Sequence, residues 1–481
     1  MLSLIIIIIS ISLILKLGRA SKNLPPGPWK LPILGSLHHL IGGLPHRRLR
    51  DLSKKHGPIM HMQLGETSVI VASSPEIAKE VLKIHDPAFA QRPQLAAAEA
   101  ITYSYTNLTH SPYGDYWRHI RRICTLELLI AKRVRSFQSI RMEETSSLVR
   151  FVSRNIGSAI NLSDKLLSMT YSITSKATLG SKSEEQEKLL ICCMKKILRT
   201  NENFNVSNIF PSQKWLQGII GATSELEELH RISDRVLDDI IAAATTTTTN
   251  NTVNAHANTL LSFLLRSLKD NGTSEFQLSR NNIKALLRDM LLAGSETSSS
   301  TMEWAFSEMM KNPRVLKKAQ AEVRQVFGNK VIKESMRLHP PGGALLAREC
   351  RETCEINGYT IPAGTQVLVN TWAIGRDSKY WNEAERFYPE RFLDCEIEYK
   401  GSHFEFIPFG AGKRMCPGIS YALPSIELAL AQLLYHFDWD LPSGVSHENF
   451  DMMEAFGVTM RRKNDLFVIP ICQLHVPIEQ L

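Results

Sequence analysis

The sequence predicts a mainly α-helical chain with small β-sheets, folded as one large domain behind an N-terminal membrane anchor. Three observations carry that reading. Apolar residues keep helical spacing over long stretches, above all 281–311, which ends at Asn312-Pro313. Strand-like alternation is confined to short runs, 59–71 around Gly65 and 359–369 around Pro362-Ala363-Gly364, and each predicts a hairpin. No Gly/Ser-rich or charged linker divides the 481 residues, of which 43% are hydrophobic, so a single large core is expected.

Residues 1–17 form the predicted anchor. The run from Met1 to Leu15 is almost wholly apolar, and Lys16, Arg19, Lys22 and Lys30 follow it. As a helix to Leu17 it would span roughly 25 Å, enough for a thin bilayer if Lys16 snorkels. Positive charge after the run, with none before it, predicts an uncleaved signal anchor that leaves the bulk of the chain in the cytosol. Residues 18–30 are a basic, proline-rich hinge, because Leu24-Pro25-Pro26-Gly27-Pro28 cannot continue a helix. The large domain then occupies 31–481. Within it, 242–258 contains five consecutive threonines followed by Asn250-Asn251, which predicts a surface loop.

Net charge is +8 and the sequence pI about 9.0. The basic runs 118–122 and 132–135 lack interleaved aromatics, so nucleic acid is not an expected partner. A basic face suits an acidic protein partner or anionic lipid. The eight cysteines show neither C-x-x-C pairs nor zinc-ligand spacing, so neither a structural zinc site nor a disulfide framework is indicated.

One cysteine stands apart. In Phe409-Gly410-Ala411-Gly412-Lys413-Arg414-Met415-Cys416-Pro417-Gly418, two glycines permit a sharp turn and close approach to a flat cofactor. Arg414 offers a donor fork for a carboxylate, and Phe409 can cover an apolar face. Pro417 suits the first turn of a helix, whose positive end favours a negative sulfur. The spacing Phe-x-x-Gly-x-Arg-x-Cys-x-Gly, which includes Gly412 and Gly418, resembles the haem-binding signature of the cytochrome P-450 family.

Further motifs match that family. Ala293-Gly294-Ser295-Glu296-Thr297 lies mid-helix and resembles the family's oxygen-activation groove, which makes Thr297 the hydroxyl and Glu296 the acid that hand protons to bound dioxygen. Glu334 and Arg337 form an E-x-x-R pair one helical turn apart, and with Arg391 of Pro389-Glu390-Arg391-Phe392 they match the family's buried ionic triad. Trp117 and Arg121 match its W-x-x-x-R, whose indole and guanidinium donors hold a haem propionate, and Arg348 looks like another propionate partner. The wording of the motifs is similar to that of plant microsomal enzymes of the A-type clan oxidising terpenoids, alkaloids and phenylpropanoids. The resemblance implies haem b with Cys416 as axial iron ligand, an endoplasmic reticulum location, and monooxygenation of a C–H bond. It also implies electrons from NADPH through a flavoprotein, NADPH–cytochrome P-450 reductase. Apolar or small residues at 287–293, 342–346 and 456–459 point to a lipophilic, terpenoid-like substrate.

Two departures from the pattern stand out. Only Asn329-Lys330 separates Val326-Phe327-Gly328 from Val331-Ile332-Lys333-Glu334, where the family usually has roughly fifteen further residues, more than loop variation supplies. Pro424, in the helix after Cys416, should kink that helix or shift its start. Two other functions therefore stand beside the monooxygenase: a catalytically silent relative disabled at 330/331, and a reductase-independent haem-thiolate isomerase or dehydratase.

Overall fold

The computed structural model describes residues 23–180, 182–200, 206–213, 222–249, 259–269, 276–323, 329–455 and 457–472. The predicted anchor, the start of the hinge and 324–328 of the shortened junction lie outside them. Among the described residues no helix is long and apolar enough to cross a membrane.

Nine helices organise the site: α1 (Pro45–His56), α2 (Asp115–Cys124), α3 (Gln138–Ser153), α4 (Leu162–Thr178), α5 (Ala222–Thr249), α6 (Arg280–Lys311), α7 (Pro313–Val323), α8 (Lys330–Leu338) and α9 (Ile419–His436). The 32-residue α6 is the axle. It opens with a capping box, in which the Ser279 hydroxyl accepts from Asn282 N–H and the Asn282 amide oxygen accepts from Ser279 N–H. It closes at Asn312, ahead of Pro313. Leu286, Met302, Phe306 and Met309 of α6 join Leu166, Met169 and Ile173 of α4 in the main core. A helix buried on all sides needs apolar or paired residues throughout. The exception is 292–297, where Ala293 is exposed and Leu292, Gly294, Glu296 and Thr297 are half-buried.

The principal sheet has the order β1 (Ile59–Leu64), β2 (Thr67–Ala72), β7 (Gln366–Val369), β4 (Arg348–Glu349). The hairpin predicted around Gly65 is present, with Ile59 opposite Ala72 and Leu64 opposite Thr67. The one predicted at 359–369 is not. β6 (Tyr359–Ile361) pairs instead with β5 (Cys354–Ile356) across Asn357-Gly358, both at positive φ, while β7 runs parallel to β2. Asn-Gly supplies the left-handed pair a tight hairpin needs. Pro362-Ala363-Gly364 merely redirects the chain, so that the apolar β7 enters the buried sheet. Smaller sheets join β3 (Ile160–Asn161), β11 (Phe467–Cys472) and β8 (Phe437–Asp440), and β9 (Glu454–Ala455) with β10 (Arg461–Arg462).

Two further expectations change. Thr245 to Thr249 are helical, as the end of α5. The Thr245 and Thr246 hydroxyls donate back to the Ile241 and Ala242 carbonyls, which makes threonine compatible with the helix. Pro417 precedes the helix instead of occupying its first turn: Gly418 is the N-cap and α9 starts at Ile419. Pro424 then falls inside α9, which continues to His436. At the shortened junction, Glu334 is already the fifth residue of α8. Ala319, Val323, Val331, Ile332, Leu430 and Leu434 of α7, α8 and α9 line a cleft of about 20 Å³ there, beside the Lys330–Glu322 ion pair at 2.9 Å.

Candidate active site

The segment 409–418 is a loop pressed against the main sheet, with Ile407 and Ala411 packed into the apolar cluster of Ile70, Leu82 and Val367. Gly410 and Gly412 have φ of +67° and +71°. A side chain on Gly412 would lie 2.1 Å from the Leu82 carbonyl oxygen, so both the backbone conformation and the close approach demand glycine. Cys416 N–H donates to the Phe409 carbonyl at 3.0 Å, and Gly418 N–H donates to Cys416 Sγ at 3.4 Å. The sulfur thus meets the first free donors of α9. Desolvation raises its thiol pKa, opposed by the Gly418 N–H and by Arg121. Cys416 nonetheless keeps solvent access. A residue both desolvated and accessible lies on the wall of a recess, where a bound cation would turn the thiol into a thiolate. Phe409 is half-buried with its ring against Tyr399.

Beside this loop, cations outnumber anions. Arg348 donates to Asp86 at 2.7 Å and to the Ala411 carbonyl at 2.8 Å. Arg414 donates to the Ala90 and Ser111 carbonyls at 2.8 and 2.6 Å, and Arg121 to the Met415 carbonyl at 2.7 Å. Burial first, then Arg348 and Arg121, push the Arg414 guanidinium down to about 9. The Trp117 indole N–H donates to the Leu108 carbonyl at 3.0 Å. Its ring carries the guanidinium groups of Arg414 and Arg121, 4.3 and 5.3 Å from the ring centre.

Two residues of this cradle escaped sequence reasoning. Arg92 is buried and donates to the Thr109 and Ala347 carbonyls, and burial together with Arg414 and Arg348 depresses its pKa strongly. No spacing rule singles it out. Asp289 of α6 is also buried, and its carboxylate accepts from Asn107 Nδ2 at 3.0 Å and from Thr109 N–H and Oγ1 at 2.8 Å. It ties down 107–111, whose carbonyls receive Trp117, Arg92 and Arg414. A charged pair, Arg288-Asp289, inside an apolar helical run was the available signal. Asn107 is buried in this contact.

On α6 the Thr297 hydroxyl donates to the Ala293 carbonyl at 2.6 Å, inside the accessible stretch. The Glu296 carboxylate accepts from Thr459 Oγ1 at 3.1 Å. Away from the recess, Glu334, Arg337 and Arg391 meet. Glu334 receives two bonds of 2.8 Å from Arg337 and one of 3.0 Å from Arg391. Glu334 and Arg337 are fully buried, and Arg337 also donates to the Gly375, Ala384 and Arg386 carbonyls. A buried pair this well satisfied fixes geometry more than it adds stability.

These features test the fit of a cofactor. Among the described residues no group of three or more His, Cys, Asp or Glu side chains could hold a metal ion. A metal held by Cys416 therefore needs its other ligands from an organic ring, and the surplus guanidinium charge suits a ring bearing carboxylates. Haem b meets both requirements. The family model for cytochrome P450 matches residues 25–468.

This chain belongs to the cytochrome P450 family.

Cytochrome P450 71D11 of Lotus japonicus is 48% identical over 474 residues, 95% of this chain and 96% of the relative. Premnaspirodiene oxygenase of Hyoscyamus muticus is also 48% identical, covering 93% of each chain, and salviol synthase of Salvia pomifera 46%, covering 96% of this chain and 94% of the relative. A zebra fish cytochrome P450 structure with progesterone superposes with a TM-score of 0.78 over 89% of this chain and 99% of that one, at 24% identity, which shows the shared fold. The cytochrome P450 is thus a haem b monooxygenase with a redox partner and a lipophilic substrate.

Proposed function

We propose that this cytochrome P450 hydroxylates a lipophilic terpenoid-class metabolite at the endoplasmic reticulum membrane, with electrons from NADPH through NADPH–cytochrome P450 reductase. The observation that carries the reading is an accessible cysteine, Cys416, at a helix N-terminus beside a cradle with surplus guanidinium charge. Cys416 would be the axial ligand, and Arg121, Arg348, Arg414 and Arg92 would hold the haem carboxylates. When bound, haem supplies dioxygen activation and oxygen transfer, with thiolate donation favouring O–O cleavage.

The remaining roles belong to this chain. Gly410 and Gly412 let the loop turn close against the protein beneath it, Gly418 N–H steadies the sulfur, and Phe409 shields one face. The Thr297 hydroxyl, parked on the Ala293 carbonyl, is placed to pass a proton into the groove, with Glu296 as the acid behind it. Leu346 and Val458, both exposed and apolar, suit contact with a hydrocarbon. Arg118, Arg122, Lys132 and Arg135 are exposed, as a docking face for an acidic donor requires. One relative is named for oxygenation of a diene, which supports the substrate class. The assembled Glu334–Arg337–Arg391 triad argues against a chain disabled at 330/331, and the intact Glu296-Thr297 pair argues against a reductase-independent isomerase.

The test is the reduced, carbon-monoxide-bound difference spectrum of the full chain beside Cys416→Ser, followed by turnover of a terpene panel with reductase and NADPH. A red-shifted Soret band lost in Cys416→Ser, with hydroxylated product, is the expected result. A chain without that band is not a working monooxygenase, and a band without product from any terpene removes the substrate class.

A further inference from the structure

The β9–β10 hairpin is held unusually firmly for a two-pair element. On the first strand, Glu454 is buried and accepts from His46 Nε2 at 2.9 Å, Arg47 Nε at 2.8 Å and Trp372 Nε1 at 3.2 Å. At the other end, the Met460 carbonyl accepts from Ser300 Oγ at 2.9 Å and from Trp304 Nε1 at 3.0 Å, both on α6. Met460 N–H donates to the Pro341 carbonyl at 2.7 Å. Thr459, next in the chain to this doubly pinned residue, is buried, and its hydroxyl reaches Glu296 Oε2. Glu296 and Thr297 are successive residues on α6, about 100° apart around the axis. They therefore face different ways: Thr297 engages Ala293 along the helix, while Glu296 meets the hairpin.

We infer that Thr459 is a positioning residue for Glu296, fixing the carboxylate against the β9–β10 loop so that its proton reaches the Thr297 groove from one geometry. The inference rests on the reading of Glu296 as the acid. A threonine β-carbon has one hydroxyl and one methyl, so here a rigid backbone delivers the donor. With both ends of the segment pinned, the carboxylate is oriented by the hairpin and not by its own flexible stem. A hydroxyl donating to one carboxyl oxygen fixes the direction of the whole group. The loop thereby joins the substrate-facing side chain Val458 to the acid through adjacent residues, so substrate fit and proton supply share one element.

The experiment compares Thr459→Val, which keeps shape and removes the donor, with Thr459→Ser, which restores it, and with Glu296→Ala, which removes both acid and acceptor, and the Thr459→Val/Glu296→Ala double variant. In the haem-loaded full chain, product formed per NADPH consumed should fall about tenfold in Thr459→Val, as expected for loss of one side-chain hydrogen bond. Thr459→Ser should recover most of it, with the carbon-monoxide spectrum and substrate Kd unchanged. Amide hydrogen exchange of 457–461 supplies a readout independent of turnover. It should rise in Thr459→Val and in Glu296→Ala, and rise no further in the double variant. Additive exchange, or unchanged coupling in Thr459→Val while Glu296→Ala is uncoupled, would overturn the inference alone. Unchanged coupling in Glu296→Ala would overturn the reading of the acid, and the positioning role with it.

Discussion

Glu303 gives this protein a pH-dependent stability term whose sign and size follow from its surroundings. It lies on α6, buried against Ser163 at the start of α4, and burial pushes its carboxyl up to about 7. The Ser163 bond and Arg462 oppose the rise, Asp465 adds to it, and Arg461 also opposes it. The ordinary value is 4.5. Between these two values the folded chain keeps a proton that the unfolded chain releases. Glu303 therefore contributes stability below pH 4.5 that is lost as pH rises through about 7. From pH 5 to pH 8 the loss is about 2.5 kcal/mol at 1.36 kcal/mol per pKa unit. Glu303→Gln keeps the volume and a partner for Ser163 but does not titrate, so the variant should gain that amount on the native chain over the same interval. With an unfolding entropy of about 2 cal/mol/K per residue, this is a relative gain in Tm of about 2–3 °C. Thermal unfolding of both proteins at pH 5, 6, 7 and 8, followed by far-ultraviolet circular dichroism, measures it. Melting temperatures that stay parallel across the range would refute the argument.

Removing one member of the triad leaves a buried charge without its partner, so Glu334→Ala should cost about 3–5 kcal/mol and deplete the haem-bound fraction, read as the carbon-monoxide band per mole of protein. Asp289→Asn keeps size but loses the charge that holds 107–111. Substoichiometric haem and faster amide exchange in 107–111 are expected, and full retention of both would deny Asp289 its place in the cradle. Gly412→Ala combines left-handed strain of about 1–2 kcal/mol with a clash against backbone, so it should abolish the band, whereas Gly157→Ala, which also has positive φ but nothing within 4 Å, should keep it.

How far the sequence reached is clearest at individual residues. The Cys416 loop was legible because glycine has few substitutes where a backbone must turn left-handed, as at Gly410 and Gly412, and because the cysteine and arginine stand at fixed intervals from those turns. Thr297 was legible as a hydroxyl in a small-residue stretch of an otherwise buried helix, and Glu334, Arg337 and Arg391 as charges at fixed spacings. The 359–369 hairpin was misread because alternation does not name a strand's partner: β7 found β2, far away in sequence, while Asn357-Gly358 made the local turn. The threonine run was misread because hydroxyls bonding to the preceding turn satisfy a helix that composition alone disfavours.

By itself the sequence determined the covalent vocabulary of the site, which is one cysteine, its glycines, and the motif residues at their intervals along the chain. Only the tertiary structure decided which groups share a space. Arg92 and Asp289 entered the cradle, Trp117 spent its N–H on a carbonyl, and Thr459 came to face Glu296 across 163 positions of chain. The physical reason is that short-range preferences are written in neighbouring residues, whereas the partner of a buried charge is chosen by packing. That choice follows from burying all the apolar surface at once while leaving no polar group without a bond.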